Sequence, residues 1–241
     1  GSRSDSDHVY NTPRAWFMGR YLAPESYTWD GENAQFKPES DNIPWSIKPD
    51  KKVTVEDVKY LLSSYYQGTD YNPYSSHDTG KRGMYRSIGI NRTGVTSICQ
   101  IRDNVPSEIS GVEWIMFGSN AFNAAVPVYA NVHSMPKYLS NVTLNTSTEN
   151  LYWSTRLIGA LVDPVYAKGI QEIERYQEAV STEGRRIMLK YDKEMIKTGD
   201  YFLIVESRFG LLFEDGGESA DDVSGTMVRL LNIKTGGEEV S

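Results

Sequence analysis

The 241-residue sequence predicts an α+β fold. Two observations carry that prediction. From Tyr85 to Gly118 apolar side chains recur with a period of two, as strands require. Elsewhere the period changes: Val55–Tyr65, Glu149–Val162 and about Val165 to Met195 repeat at the helical spacing. Hydrophobic residues make up 39% and charged residues 24%, so a packed core is within reach and wholesale disorder is not expected.

Taken in order, residues 1–50 are rich in Pro, Asn, Asp and Trp. They read as a long ordered loop lying on something, because Trp16, Phe17, Tyr21, Trp29, Phe36 and Trp45 are too many aromatics for a free linker. Thr54 to Asp57 resembles a capping box with Asp in place of Glu, and it opens the first predicted helix. Gly68 breaks that helix, and 70–83 is a loop rich in Tyr, Ser and Gly.

In the strand region Val95, Ser97, Cys99 and Ile101 share one face. Turn chemistry follows at Asp103-Asn104-Val105-Pro106, and Val112, Trp114 and Met116 alternate in the next strand. Both faces are largely apolar, which predicts a sheet covered on both sides. Asp163-Pro164 separates the second helix from the third, in which Gly184 reads as a weak point. In the tail, 201–205 and 227–233 fit either a strand or a short helix, and 215–222 is an acidic loop. No internal repeat or domain linker is evident.

A net charge of -7 and a pI near 5.1 argue against nucleic-acid and anionic-membrane partners, which need an excess of Lys and Arg. No apolar run approaches the roughly 18–20 residues of a membrane span. Gly1-Ser2 reads as the remnant of an expression tag, and no signal peptide opens the chain. A single Cys excludes an internal disulfide.

Cys99 must be weighed as a nucleophile. Its mid-strand setting favours a buried structural cysteine. His8, His77 and His133 form no metal-binding pair, 215–222 lacks EF-hand spacing, and Gly80-Lys81-Arg82-Gly83 lacks the context of a phosphate loop. Three glycosylation sequons, at Asn91, Asn141 and Asn145, are short enough to arise by chance. On composition alone Arg14 is an ordinary loop arginine.

Several motifs in order carry a resemblance. Asn91-Arg92-Thr93 precedes Gln100-Ile101-Arg102, and a Pro-x-x-Ile-x-Gly-Val-x-Trp run spans Pro106 to Trp114. Tyr60 to Thr69, similar to a Ser-x-Tyr-x-Gly-Thr run, Val126-Pro127 with Tyr129, and Leu151-Tyr152-Trp153 with Arg156-Leu157 accompany them. The chain resembles the cysteine dipeptidases of the N-terminal-nucleophile hydrolases, the dipeptidase A and secernin-like enzymes.

That resemblance implies an αββα sandwich, with residues 1–241 as the carboxy-terminal portion of one such domain. It implies dipeptide hydrolysis through a cysteine acyl-enzyme, with no metal or organic cofactor. The nucleophile would come from an amino-terminal half absent here, so this chain alone would be inactive. A homo-oligomer stays open. In Tyr10-Asn11-Thr12-Pro13-Arg14-Ala15-Trp16, the resemblance makes Arg14 an active-site candidate, its fork of donors suited to a carboxylate or oxyanion. For Asn91 and Arg92 a structural part is favoured. An amidase acting on acyl-amino acids and a non-catalytic folding or binding module remain the alternatives.

Overall fold

The computed structural model describes residues 4–77 and 80–201. The fold is α+β, as predicted, and the chain divides after Ile90 into two compact units.

The amino-terminal unit departs from the expected long loop. Helix α1 (Asp5–Tyr10) starts at Ser4, whose side chain accepts from the Asp7 amide, and α2 (Thr12–Leu22) follows almost at once. Asn11 ends one helix and opens the other. Pro13 read as a loop marker, but it lies in the first turn of α2, where a missing N–H costs nothing. The expectation of irregular backbone does hold for 23–54, which contain no helix or strand. Helix α3 (Val55–Leu62) begins at the predicted capping box: Thr54 Oγ1 accepts from the Asp57 amide at 3.1 Å, and Asp57 Oδ2 accepts from the Thr54 amide at 2.8 Å. Trp16, Phe17, Trp29, Phe36, Leu61 and Tyr66 pack together as the core of this unit.

The second unit is built on an antiparallel sheet of order β1-β2-β3, with β1 Val95–Ile101, β2 Gly111–Phe117 and β3 Val126–Tyr129. Pro106 leads into a 3₁₀ turn, Ser107–Ile109, between β1 and β2. A short helix α4 (Lys137–Ser140) precedes α5 (Leu151–Val162), which is capped by Asn150 through a 3.0 Å bond from the Trp153 amide. After a 3₁₀ turn at Asp163–Val165, α6 (Tyr166–Thr198) runs 33 residues and ends at Gly199 in the left-handed region. The expectations for 202–241, including the acidic loop, lie outside the described residues.

Two expectations about this sheet are corrected. Ile98, Val112, Trp114 and Met116 are buried, and α5 and α6 pack against the sheet. The other face is open among the described residues: Val95 is 60% and Ile101 88% exposed. Cys99 shares that face and is exposed, not buried. The alternation of β1 was read correctly, but apolar composition alone did not reveal which face is covered. Gly184 is also more than a weak point. A Cβ there would come within 2.9 Å of Pro127 Cδ, so its absence lets α6 lie close on β3.

Candidate functional site

In the amino-terminal unit, α2 carries Arg14 on one side and Trp16 and Arg20, one turn apart, on another. Arg14 is part-buried. Its Nε donates to the Arg86 carbonyl at 3.2 Å and its Nη2 to the Ser87 carbonyl at 3.0 Å. The guanidinium therefore holds two successive carbonyls of the segment that closes the unit.

Tyr66 meets it there, its hydroxyl donating to the same Arg86 carbonyl at 2.9 Å. Tyr66 is fully buried, and burial drives its phenol well above the ordinary tyrosine range, with the Arg14 charge pulling the other way. Its backbone is unusual as well, with φ at 63°. A bulky residue in the left-handed region costs free energy and persists only where its surroundings impose it. Here the surroundings are local. The Tyr66 amide donates to Ser64 Oγ at 3.1 Å, and Thr69 Oγ1 donates back to the Tyr66 carbonyl at 2.7 Å. The Pro-Arg motif and the Ser64–Thr69 motif are thus brought together on one backbone carbonyl.

Beside them lies an open cavity of about 630 Å³, lined by Trp16, Trp29, Tyr71 and Tyr85 among others. That volume falls in the range of small-molecule sites. Its walls are held firmly. Trp16 Nε1 donates to the Trp29 carbonyl at 2.9 Å, and Trp29 Nε1 donates to the Ala23 carbonyl at 2.9 Å. Gly19 makes room for Trp29, since a Cβ there would sit 2.2 Å from the indole ring. Tyr71 packs edge-on to Trp16 at 5.9 Å and against Tyr85 at 4.6 Å between ring centroids.

Charges ring this aromatic wall. Arg20 pairs with Asp30 at 2.7 Å and lies over the Trp16 ring; Lys81 sits 3.7 Å from Asp70 and over the Tyr71 ring. Tyr85 donates to Glu39 at 2.8 Å. Burial first, and then the Glu39 carboxylate, raise the Tyr85 phenol far above its usual value.

Lys59, on α3, donates to Ser63 Oγ at 2.6 Å, and burial lowers its ammonium to about 7. A Ser–Lys pair can serve as a nucleophile and base. Ser63, however, is 7% exposed, and its carbonyl is packed so closely on Gly89 that a Cβ there would lie 2.4 Å away. A substrate has no room to reach it.

The motifs of the second unit have a different character. Arg102 is buried and makes a two-pronged pair with Asp192 on α6, at 2.6 and 3.1 Å. It also donates to the Ile109 carbonyl at 2.5 Å. Tyr129 donates to the same Asp192 at 2.7 Å. Trp114 Nε1 donates to Gln100 Oε1 at 3.0 Å. Arg156 on α5 donates to the Asn91 carbonyl, while Arg92 is exposed. The Asp192 cluster ties the sheet to α6, Trp114 ties β2 to β1, and Arg156 ties α5 to the turn at Asn91. Among the described residues no group of three or more His, Cys, Asp or Glu could hold a metal ion.

Sequence reasoning singled out Arg14 and missed the cavity beside it. The available signal was the spacing of Trp16, Phe17, Arg20 and Tyr21 behind Asn11-Thr12-Pro13, a helix start that was read as a loop.

The model of peptidase family C69 matches residues 1–179. The chain belongs to that family. It is 46% identical over 200 residues to a dipeptidase of Bifidobacterium longum (strain NCC 2705), which covers 83% of this chain and 38% of that protein. It is 40% identical over 235 residues to a probable dipeptidase A of Streptococcus pyogenes serotype M18, with 96% and 46% covered. Against dipeptidase A of Lactobacillus helveticus the identity is 32% over 196 residues, with 81% and 40% covered. The chain therefore spans less than half the length of these relatives.

Proposed function

We propose that the full-length protein hydrolyses dipeptides through a cysteine acyl-enzyme. The observation that carries this reading is the family match over residues 1–179, together with relatives named as dipeptidases. An amino-terminal cysteine outside this chain would attack the peptide carbonyl, its own α-amine accepting the thiol proton. In this reading residues 1–241 complete a single hydrolase domain with that amino-terminal half.

Arg14 is proposed as this chain's contribution to the active site. Two of its five N–H donors are committed to the Arg86 and Ser87 carbonyls. The guanidinium also faces the Tyr66 hydroxyl, and the rest of its fork is proposed to meet a substrate carboxylate or a developing oxyanion. A fixed backbone bridge on one side of the guanidinium would aim the rest of the fork, which a lysine could not reproduce.

The test is turnover of dipeptides against acyl-amino acids by the full-length protein. Dipeptide hydrolysis that is lost when the amino-terminal cysteine becomes alanine supports the reading. Hydrolysis of acyl-amino acids alone replaces it with the amidase, and no turnover of either replaces it with a non-catalytic module. Within an active enzyme, Arg14→Lys should lower the rate about 10²-fold with circular dichroism unchanged. Near-normal turnover of that variant makes Arg14 a purely structural residue.

A further inference from the structure

We propose that Tyr66 is the positioning residue of Arg14: its hydroxyl, set in place by the strained turn Ser64–Thr69, fixes the orientation of the guanidinium. The consequence for catalysis rests on the reading of Arg14 as an active-site group. The positioning itself comes from the contacts alone.

The guanidinium is anchored along one edge. Its Nε donates to the Arg86 carbonyl at 3.2 Å and its Nη2 to the Ser87 carbonyl at 3.0 Å. Two bonds along one edge leave a hinge, because the group can still tilt about the line that joins the two carbonyls. Tyr66 removes that freedom. Its hydroxyl spends its proton on the same Arg86 carbonyl at 2.9 Å and keeps its lone pairs for the guanidinium it faces.

The segment that supplies the carbonyls is held from both sides. On the side of α1, the Arg86 amide donates to the Val9 carbonyl at 3.0 Å, and the Arg86 guanidinium lies 5.7 Å from the centre of the Tyr10 ring. On the side of the turn, the Gly89 amide donates to the Ser64 carbonyl at 2.7 Å. A Cβ on Gly89 would overlap the Ser63 carbonyl, so the segment lies directly on the turn.

The turn carries strain at one residue. Tyr66 sits at φ 63°, a conformation that a bulky side chain holds only under constraint, and such strain gathers at functional sites. Four side-chain bonds impose it. Ser64 Oγ accepts from the Tyr66 amide at 3.1 Å, and Thr69 Oγ1 donates to the Tyr66 carbonyl at 2.7 Å. Gln67 Oε1 accepts from the Tyr65 amide at 3.0 Å and from Ser64 Oγ at 3.2 Å. The Tyr66 ring rests edge-on against Phe17 at 5.6 Å and Tyr85 at 6.2 Å between centroids, contacts that a phenylalanine would make as well. What the tyrosine adds is the hydroxyl at the Arg86 carbonyl. A small tilt of a group that acts on the transition state is expensive, which is what the locked turn prevents.

Two measurements test this. In the 241-residue chain, nitrogen-15 NMR reads the exchange of the Arg14 Nε proton with water. Tyr66→Phe should speed it about tenfold, the loss of one hydrogen bond, with circular dichroism unchanged. In the full-length enzyme, Tyr66→Phe should move the same parameter as Arg14→Lys, kcat or KM, by about tenfold. It should cost nothing further once Arg14 is lysine. A purely structural Tyr66 would lower activity by the same factor in both backgrounds. Thr69→Val keeps the side-chain shape and loses the bond to the Tyr66 carbonyl. It should act in the same direction and serves if Tyr66→Phe does not fold.

Unchanged exchange of the Arg14 Nε proton, or independent effects of the two substitutions on turnover, would overturn the proposal. The two readings fail separately. Dipeptide turnover with independent effects removes the positioning role alone. An inert full-length protein whose Arg14 exchange still responds to Tyr66→Phe removes the dipeptidase reading alone.

Discussion

In the second unit, β1 and β2 pair over seven residues each, and a 33-residue helix packs on the sheet. In the amino-terminal unit, 23–54 form no helix or strand at all, yet Trp29 and Phe36 within that stretch are only 4% exposed. Regular backbone bonding organises one region. Aromatic packing and side-chain bonds to backbone carbonyls organise the other: Trp16 on Trp29, Trp29 on Ala23, Arg14 on Arg86 and Ser87. The difference bears on where a binding site can form. In the amino-terminal unit, irregular chain bridged by large rings borders the open cavity of about 630 Å³. The family motifs follow the same division. Those in the second unit brace the sheet, α5 and α6, and those in the first converge on the Arg86 carbonyl.

The sharpest way to break this comparison is to remove a tie in the second unit. Arg102, Asp192 and Tyr129 form a buried cluster linking β1, α6 and β3. Replacing Arg102 by Ala leaves Asp192 buried with its charge no longer matched, a loss of about 3–5 kcal/mol. Urea unfolding should show that loss, and hydrogen exchange should report it in β1, β3 and α6. Unchanged protection in those elements would mean that the cluster is peripheral.

How much could be read in the sequence follows the same line. The capping box at Thr54, the alternation along β1 and β2, and the break at Asp163-Pro164 were legible because they are local and periodic. The burial of Cys99 was misjudged because alternation tells which residues share a face, not what covers it. Helices α1 and α2 were hidden by Pro13, whose effect depends on whether it falls in the first turn or later. Arg14 stood out by resemblance. Its partners, the Arg86 and Ser87 carbonyls, lie more than seventy positions away in the sequence. The cavity was illegible for a related reason: Trp16, Trp29, Tyr71 and Tyr85 meet only through chain with no period to read.

A change at Gly19 tests the aromatic half of the comparison. A Cβ there would overlap the Trp29 ring, which is itself held by Ala23 and by the tilted Phe36 ring against it. Gly19→Ala should therefore destabilise by about 1–3 kcal/mol, even though alanine favours helix. The displaced indole would also deform the cavity wall. Intrinsic tryptophan fluorescence should shift. A variant as stable as the parent would show that these rings can slide, and that the irregular region is not held by their fit.

Lys59 sharpens the comparison at the smallest scale. It belongs to the irregular unit's α3, where desolvation holds its pKa near 7 against 10.5 for the free side chain. The unfolded chain therefore binds one more proton than the folded chain between those two values. Stability must rise with pH across that window, and below about pH 7 the folded state carries the full cost of a desolvated ammonium. Lys59→Met removes the charge. It should stabilise the protein by about 1 kcal/mol at pH 7, a modest figure because the residue is only part-buried and solvent screens it. By pH 10 the advantage should shrink, since Lys59 is then neutral in the folded state and about one-quarter neutral in the unfolded one. The bond to Ser63 Oγ works against the gain, because methionine cannot replace it. Urea midpoints at pH 6, 7.5 and 9 for parent and variant measure the slope directly. A parent that loses stability as pH rises through this window would show a lysine stabilised by its charge, and the desolvation account of α3 would be wrong.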